Sequence, residues 1–154
     1  MSGTQKFPVD AAFEGRPFKA SENRPRVLVV DDEPVIADTI VTILTHNGYA
    51  ATAAYDADVA LETALVTPPD VLITDVYLPG MNGVDLALTI KRVFPGCGIL
   101  LFSGQASAKD LLANTRRSGS HFTLLTKPVP PMDLLETVAA HLNAGLSRQF
   151  AAAN

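Results

Sequence analysis

Charged and hydroxyl side chains of this sequence stand directly behind short apolar runs. Asp31 and Asp32 follow one run, and Asp75 follows a second. Ser103 follows a third, and Lys127 stands close behind a fourth. Carboxylates brought together repel one another and raise each other's pKa, so such a group would favour a divalent cation. Mg²⁺ fits best, because proteins hold it through carboxylates, water and phosphate oxygens. With the ion bound, the Asp75 carboxylate could attack a phosphoryl group whose charge is shared by Mg²⁺, Lys127 and Ser103.

The apolar runs are short and nearly continuous, which is typical of strands buried on both faces of a parallel sheet. They are Val27–Val30, Val71–Thr74, Ile99–Phe102 and Phe122–Leu125, with a weaker strand at Ala50–Ala54. Between them, apolar residues recur at helical spacing within 36–44, 86–94 and 135–142, and two further helices are predicted at Asp56–Leu65 and Ser107–Arg117. Five strands alternating with five helices predict an α/β fold.

This alternation would bring distant residues together. In an open parallel sheet with right-handed crossovers, the carboxyl ends of the strands lie at one edge, and ligands bind beyond that edge. Every candidate reactive group stands at such an end. We therefore expect the three carboxylates, the Ser103 hydroxyl and the Lys127 ammonium to converge.

Four motifs occupy these strand ends, and each is weak alone. They are VLVVDDEP at 27–34, VLITDVYLPGMNG at 71–83, LFSG at 101–104 and LTKP at 125–128. Together and in this order they are specific, and they resemble the receiver domains of bacterial response regulators over about Arg26 to Gly145. This CheY-like family belongs to two-component signalling. The resemblance implies a doubly wound five-stranded parallel sheet of flavodoxin-like order 2-1-3-4-5 with helices on both faces, which alternation alone does not establish.

The resemblance also implies a role for each residue at this edge. Asp75 would be the phosphoacceptor. Asp31 and Asp32 would hold Mg²⁺, Asp32 as a direct ligand and Asp31 through water or by holding Asp32. The backbone carbonyl of Tyr77 would complete the metal shell.

The opposite side of the site would bind the phosphoryl group. Lys127 and Ser103 would contact that group, and a cis peptide bond between Lys127 and Pro128 would aim the lysine inward. Phosphorylation would draw the Ser103 hydroxyl inward, and Gly104 would make the backbone shift of the following loop sterically easy.

One position departs from the family pattern, and two others lie where family members vary. Leu124 stands where relatives commonly carry a switch aromatic, three residues before Lys127, so the usual side-chain readout is not expected. Tyr77 and Gln105 occupy the two variable positions that flank the site. A bulky Tyr77 would shield the phosphoryl group from water and prolong its lifetime.

The sequence therefore predicts a stand-alone receiver that works as a switch or relay. None of His46, His121 and His141 has the spacing of a phosphodonor, so the donor would be another protein, a sensor histidine kinase or a histidine phosphotransfer protein. The predicted output is a downstream partner or a homodimer, through the face formed by helix Ser107–Arg117, the last strand and the last helix. The domain would be no enzyme beyond its own phosphotransfer and autodephosphorylation.

Other functions fit less well. An aspartate-nucleophile phosphatase would need a second acid just after Asp75, where Val76 and Tyr77 stand. A nucleotide- or flavin-binding module would need a Gly-rich phosphate loop behind a strand. The Asp31–Asp32 pair taken alone is also typical of a turn or a helix N-cap before Pro34, and a cap and a ligand can coexist.

Composition sets the remaining limits. The chain has 154 residues, 47% of them apolar, which suits one domain at 26–145 with tails at 1–25 and 146–154. A net charge of −4 argues against direct binding to nucleic acid or to an anionic membrane. Cys97 is the only cysteine and is expected to be a packed thiol. With no apolar run for a signal peptide or a span in residues 1–20, the predicted location is cytoplasmic.

Overall fold

A computed structural model describes residues 23–104, 113 and 122–153 of the chain. Five parallel strands form one sheet in the order β2-β1-β3-β4-β5. The strands are β1 (Arg26–Val30), β2 (Ala50–Ala54), β3 (Val71–Asp75), β4 (Gly98–Ser103) and β5 (Thr123–Thr126). This order confirms the predicted doubly wound sheet.

Four helices connect and follow the strands within the described residues. They are α1 (Pro34–His46), α2 (Ala57–Val66), α3 (Gly83–Val93) and α4 (Pro131–Ala153). The predicted helix Ser107–Arg117 lies outside the described residues, apart from Ala113, which is helical. Because α4 continues to Ala153, it passes the predicted domain boundary at 145, and both domain boundaries stay predictions.

Local sequence explains where three of the helices begin. Asp56 precedes α2 and accepts a hydrogen bond from Val59 N at 2.8 Å. Asn82 precedes α3 and accepts one from Asp85 N at 2.8 Å. Such side-chain caps satisfy backbone donors that the first turn of a helix leaves unpaired. Pro34 begins α1, where its missing N–H costs nothing.

The sheet separates two apolar layers. In β1, Leu28 and Val30 pack in one cluster with residues of α2 and α3, whereas Val27 and Val29 pack in the other with residues of α1 and α4. Alternate residues of a strand point to opposite faces, so burial on both sides requires an unbroken apolar run. Helices on both faces are therefore confirmed.

One predicted strand differs from its expected burial. Residues of β5 are only partly buried, and Thr126 is exposed. Its strand was expected to be buried on both faces, which is wrong because β5 is the edge of the described sheet, where its neighbour is β4. An apolar run predicts a strand but does not distinguish an edge from the centre.

The buried thiol of Cys97 gives a first testable expectation. Burial raises the pKa of Cys97 to about 12, and the nearby charge of Lys91 opposes this only in part. The thiolate is the reactive form, so at pH 8 about one molecule in ten thousand would carry it in the folded state. We expect alkylation by iodoacetamide at pH 8 to be at least about a hundredfold slower in the native protein than in urea-unfolded protein. Comparable rates in the two states would contradict this environment.

Candidate functional site

The carboxyl ends of β1 and β3 bring three carboxylates together. Asp31 and Asp32 follow β1, and Asp75 is the last residue of β3. One carboxylate oxygen of each lies within 4.8 Å of the other two. Asp31 and Asp75 are buried, whereas Asp32 is exposed. The acids therefore form one group that is open on the Asp32 side.

Lys127, which follows β5, closes this group on the other side. Its Nζ lies 3.0 Å from Asp31 Oδ2 and 3.2 Å from Asp75 Oδ2 and donates hydrogen bonds to both. Its backbone N–H donates to the Ser103 carbonyl at 3.0 Å, which ties the lysine to the end of β4. The Lys127–Pro128 peptide bond is cis, as the resemblance implied.

Burial and charge shift the titration of these groups in a common direction. Burial raises the pKa of the Asp75 carboxyl above its ordinary value, Lys127 opposes the rise, and the charge of Asp31 adds to it. Burial lowers the pKa of Lys127, but hydrogen bonds and charge from Asp31 and Asp75 outweigh that effect and leave it raised. The ammonium therefore keeps its proton at neutral pH, but its positive charge does not cancel the effect of burial on the Asp75 carboxyl.

The donor set fits Mg²⁺. The group places three carboxyl side chains around one ammonium, so when all three acids are ionised their charge exceeds that of Lys127. A divalent cation would balance this excess and would remove the mutual repulsion of the acids. The side-chain atoms that these acids offer are all oxygens, the ligand type that Mg²⁺ prefers.

A cleft of about 380 Å³ opens over the acidic group. Its lining residues come from four strand ends, and they are Asp32, Glu33, Asp75, Tyr77, Ser103, Gly104 and Lys127. Sequence reasoning missed Glu33, although its place directly behind the Asp31–Asp32 pair was a usable signal. The structure thus brings Asp31, Asp32, Asp75, Ser103 and Lys127 to one edge, as expected.

Asp31 also shapes the loop that carries it. Its Oδ1 accepts a hydrogen bond from Glu33 N at 2.8 Å, while its Oδ2 faces Lys127. The residue before α1 is Glu33, whose side chain makes no capping hydrogen bond. The turn interpretation of the acidic pair therefore holds for Asp31, and it coexists with membership in the acidic group.

Gly83 fixes the loop on the other side of Asp75. Its N–H donates to the Val76 carbonyl at 2.6 Å, and a Cβ at this position would overlap the Asp75 carbonyl oxygen. The overlapping atom belongs to the backbone, which cannot turn aside as a flexible side chain would. The role of Gly83 is therefore to allow this close approach of the two backbone segments.

We expect Gly83→Ala to lower the free energy of unfolding by about 1 to 3 kcal/mol, because overpacking forces the backbone apart. It should also displace Asp75. Urea denaturation measures the loss, and Gly96→Ala is a matched control, since a Cβ at Gly96 would meet no atom of the described residues within 4 Å. Equal stability of the two variants would contradict this packing argument.

The predicted tuning positions have different surroundings. Tyr77 is half-buried, packs against the core and lines the cleft, and its N–H donates to Asp75 Oδ1 at 3.3 Å. Leu124 is half-buried and pairs with Leu101 of β4. Among the described residues, a Cβ at Gly104, the position expected to ease the shift of the following loop, would contact the Lys127 Cβ at 3.9 Å, an ordinary van der Waals distance. Gln105 lies outside the described residues.

Comparison with known families agrees with this sheet order and acidic edge. Residues 27–139 match the model of the response regulator receiver domain. The chain belongs to this family. Receiver domains are signalling domains of two-component systems, bind Mg²⁺ at an acidic pocket and take phosphoryl groups from histidine kinases.

Similar proteins support the assignment in sequence and in fold. The chain is 35% identical over 122 residues to the probable transcriptional regulatory protein TcrX of Mycobacterium tuberculosis, covering 79% of this receiver domain chain and 50% of TcrX. A CheY-like receiver domain protein of Methanospirillum hungatei superposes with a TM-score of 0.75 at 28% identity, covering 82% of this chain and 99% of that one. A receiver domain of an HD domain-containing protein of Pseudomonas fluorescens gives 0.75 at 29%, with coverage of 81% and 99%.

The similarity to full-length regulators is partial. The DNA-binding response regulator MtrA of Mycolicibacterium smegmatis is 29% identical over 119 residues, which cover 77% of this chain and 51% of MtrA. The chain spans about half the length of TcrX and of MtrA. The name of MtrA says that it binds DNA, and that of TcrX says that it regulates transcription. Both names conflict with the expectation that this chain makes no direct contact with nucleic acid.

Within the described part of the chain, no helix combines the length and apolar character needed to cross a membrane.

Proposed function

We propose that this receiver domain accepts a phosphoryl group on Asp75 in a Mg²⁺-dependent reaction, from a histidine kinase or a histidine phosphotransfer protein. One observation carries the proposal. The Asp75 side chain ends a buried central strand and is still 11% exposed to the cleft, whereas the Asp31 side chain is fully buried. Asp32 is exposed but stands on a loop. Asp75 alone among these acids combines a fixed position with access.

The proposed chemistry uses the groups around Asp75 in complementary ways. A carboxylate oxygen of Asp75 forms a bond to phosphorus while the bond from phosphorus to the donor's imidazole nitrogen breaks, and the imidazole leaves with the electron pair. Lys127 is held beside the reacting carboxylate and offsets the negative charge on the phosphoryl oxygens. Ser103 lines the same cleft, and its hydroxyl would donate to one of those oxygens.

The cation would be held by residues that face the cleft. When bound, Mg²⁺ supplies positive charge that stabilises the transferring phosphoryl group. Asp32 and Asp75 line the cleft and would be direct ligands. Both carboxylate oxygens of Asp31 already accept hydrogen bonds, one from the Glu33 N–H and one from Lys127. This supports an indirect role of Asp31 in metal binding, through water or through Asp32. The Tyr77 backbone carbonyl completes the proposed shell.

Intact-mass measurement after incubation with acetyl phosphate tests this function. We expect one added phosphoryl mass in the presence of Mg²⁺ and none when EDTA is in excess. Labelling that is independent of metal, or more than one phosphoryl mass, would contradict the proposal.

A hydrolase with Asp75 as nucleophile is the second candidate, and one observation favours it. Glu33 places a further carboxylate in the cleft, where an acid-base group for turnover would have to stand. Steady-state release of p-nitrophenol from p-nitrophenyl phosphate, lost in Glu33→Gln, would support the hydrolase. A single labelling event without turnover supports the switch.

We expect the response to phosphorylation to depend on Ser103 and not on Leu124. The hydroxyl of Ser103 is the group that a new phosphoryl oxygen can attract, whereas Leu124 has no polar tip to exchange partners. Ser103→Ala should therefore lose the change in amide exchange that a phosphoryl mimic causes at residues 104–117, and Leu124→Ala should keep it. Loss in both variants, or in neither, would contradict this route.

The proposed output is a protein partner or a homodimer, through the face of segment Ser107–Arg117, β5 and α4. The net charge of −4 supports a protein partner over DNA for this domain, because non-specific DNA affinity comes from lysine and arginine contacts to phosphate. Fluorescence anisotropy with a labelled duplex tests the point. Binding at physiological salt would contradict it.

A further inference from the structure

An aromatic ring lies beneath the ammonium of Lys127. The Nζ atom is 4.7 Å from the centroid of the Phe102 ring. Phe102 is only 2% exposed and lies on β4, one residue before Ser103. Its backbone carbonyl accepts a hydrogen bond from Val76 N at 3.2 Å, and it pairs in register with Asp75. The ring is thus fixed on the strand next to the one that ends in Asp75.

We propose that Phe102 is a positioning residue that holds the Lys127 ammonium beside Asp75 for phosphoryl transfer. The inference rests on the proposed function of Asp75. The negative face of an aromatic ring attracts a cation within about 6 Å, and the attraction grows when the cation has lost water. Lys127 meets both conditions, since its side chain is only 19% exposed.

The ring differs from the other partners of Lys127 in one physical respect. Asp31 and Asp75 attract the ammonium through their charge, and that attraction weakens whenever a carboxylate is neutralised by a cation or by a bond to phosphorus. The Phe102 ring is neutral, so its attraction does not depend on those events. It would keep the flexible lysine in place when the ion pairs are weakest, which is when the reaction needs a fixed charge.

Fluorination of the ring separates this role from simple packing. Replacing Phe102 with mono-, di- and trifluorophenylalanine withdraws the negative charge of the ring face and nearly keeps its shape. We expect the initial rate of labelling by acetyl phosphate to fall with each added fluorine, by about three- to tenfold for the trifluoro ring. Phe122 is a matched control, because it is 4% exposed and packs on the other face of the sheet. The same series at Phe122 should leave the rate unchanged.

A spectroscopic readout works without any labelling. Protons above a ring face are shifted upfield, so the ε-methylene resonance of Lys127 should be upfield in wild type, with and without Mg²⁺, and should move to its ordinary position in Phe102→Leu. An ordinary position in wild type, or a flat rate across the Phe102 series, overturns the inference. If wild type is unlabelled while the upfield resonance depends on Phe102, the placement of Lys127 stands and the function of Asp75 fails.

Discussion

Asp75→Asn is expected to reduce labelling by acetyl phosphate to background. The amide nitrogen and oxygen of asparagine are poor nucleophiles, and the other acids are unsuitable, because Asp31 is fully buried against Lys127 and Asp32 is not fixed by a strand. Intact-mass spectrometry on wild type and variant measures the effect. Asp58→Asn removes an exposed carboxylate on α2 and is the matched control, which should label like wild type.

The same substitution separates loss of function from loss of fold. Because burial raises the pKa of Asp75 in the folded state, ionisation of this carboxyl costs stability. The stability that the protonated form contributes is complete below the unfolded pKa and is lost as the pH rises through the higher folded pKa. At neutral pH without metal, Asp75→Asn should therefore unfold at an equal or higher urea concentration than wild type. If Asp75→Asn lost both labelling and much of its stability, unfolding would explain the lost labelling. The result would then contradict a chemical role for Asp75.

Asp32→Asn is expected to raise the dissociation constant for Mg²⁺ by about 5- to 150-fold, which corresponds to about 1 to 3 kcal/mol. Asp32 is exposed at the open side of the acidic group and lines the cleft, so it can bind the cation directly. Because it is exposed, replacing it should not destabilise the metal-free fold. The variant should therefore keep the stability of wild type in EDTA. Isothermal titration with Mg²⁺ measures the affinity.

Two further variants make this result interpretable. Glu33→Gln removes an equal charge from the same cleft and should change the affinity by much less, since we place Glu33 outside the metal shell. Asp31→Asn should weaken Mg²⁺ binding as well, but with loss of stability, because Asp31 is buried and pairs with Lys127 at 3.0 Å. If Asp31→Asn and Asp32→Asn both bind Mg²⁺ as tightly as wild type, the metal site lies elsewhere.

The elements of the fold were largely predictable from local sequence. Apolar runs located all five strands to within one residue at each end. The signal is clearest for β1, β3 and β4, because strands buried between two helical layers must be apolar throughout. Asp56 and Asn82 cap two helices, and their residue types are a local signal for a helix start. The burial of β5 was misjudged, since edge and centre depend on which strands pair, and that is a long-range property.

The sequence by itself determined which chemistry this protein offers: carboxylates, a hydroxyl and an ammonium at the ends of parallel strands, whose common edge follows from the handedness of the crossovers. Only the tertiary structure decided how these groups share charge. It buried Asp31 and left Asp32 exposed, placed Glu33 in the cleft, and set the Phe102 ring beneath Lys127. It also brought Gly83 against the Asp75 carbonyl. The place of Glu33 had a local signal, but the contacts of Phe102 with Lys127 and of Gly83 with Asp75 depend on how strands and loops pack, which residue types alone do not specify.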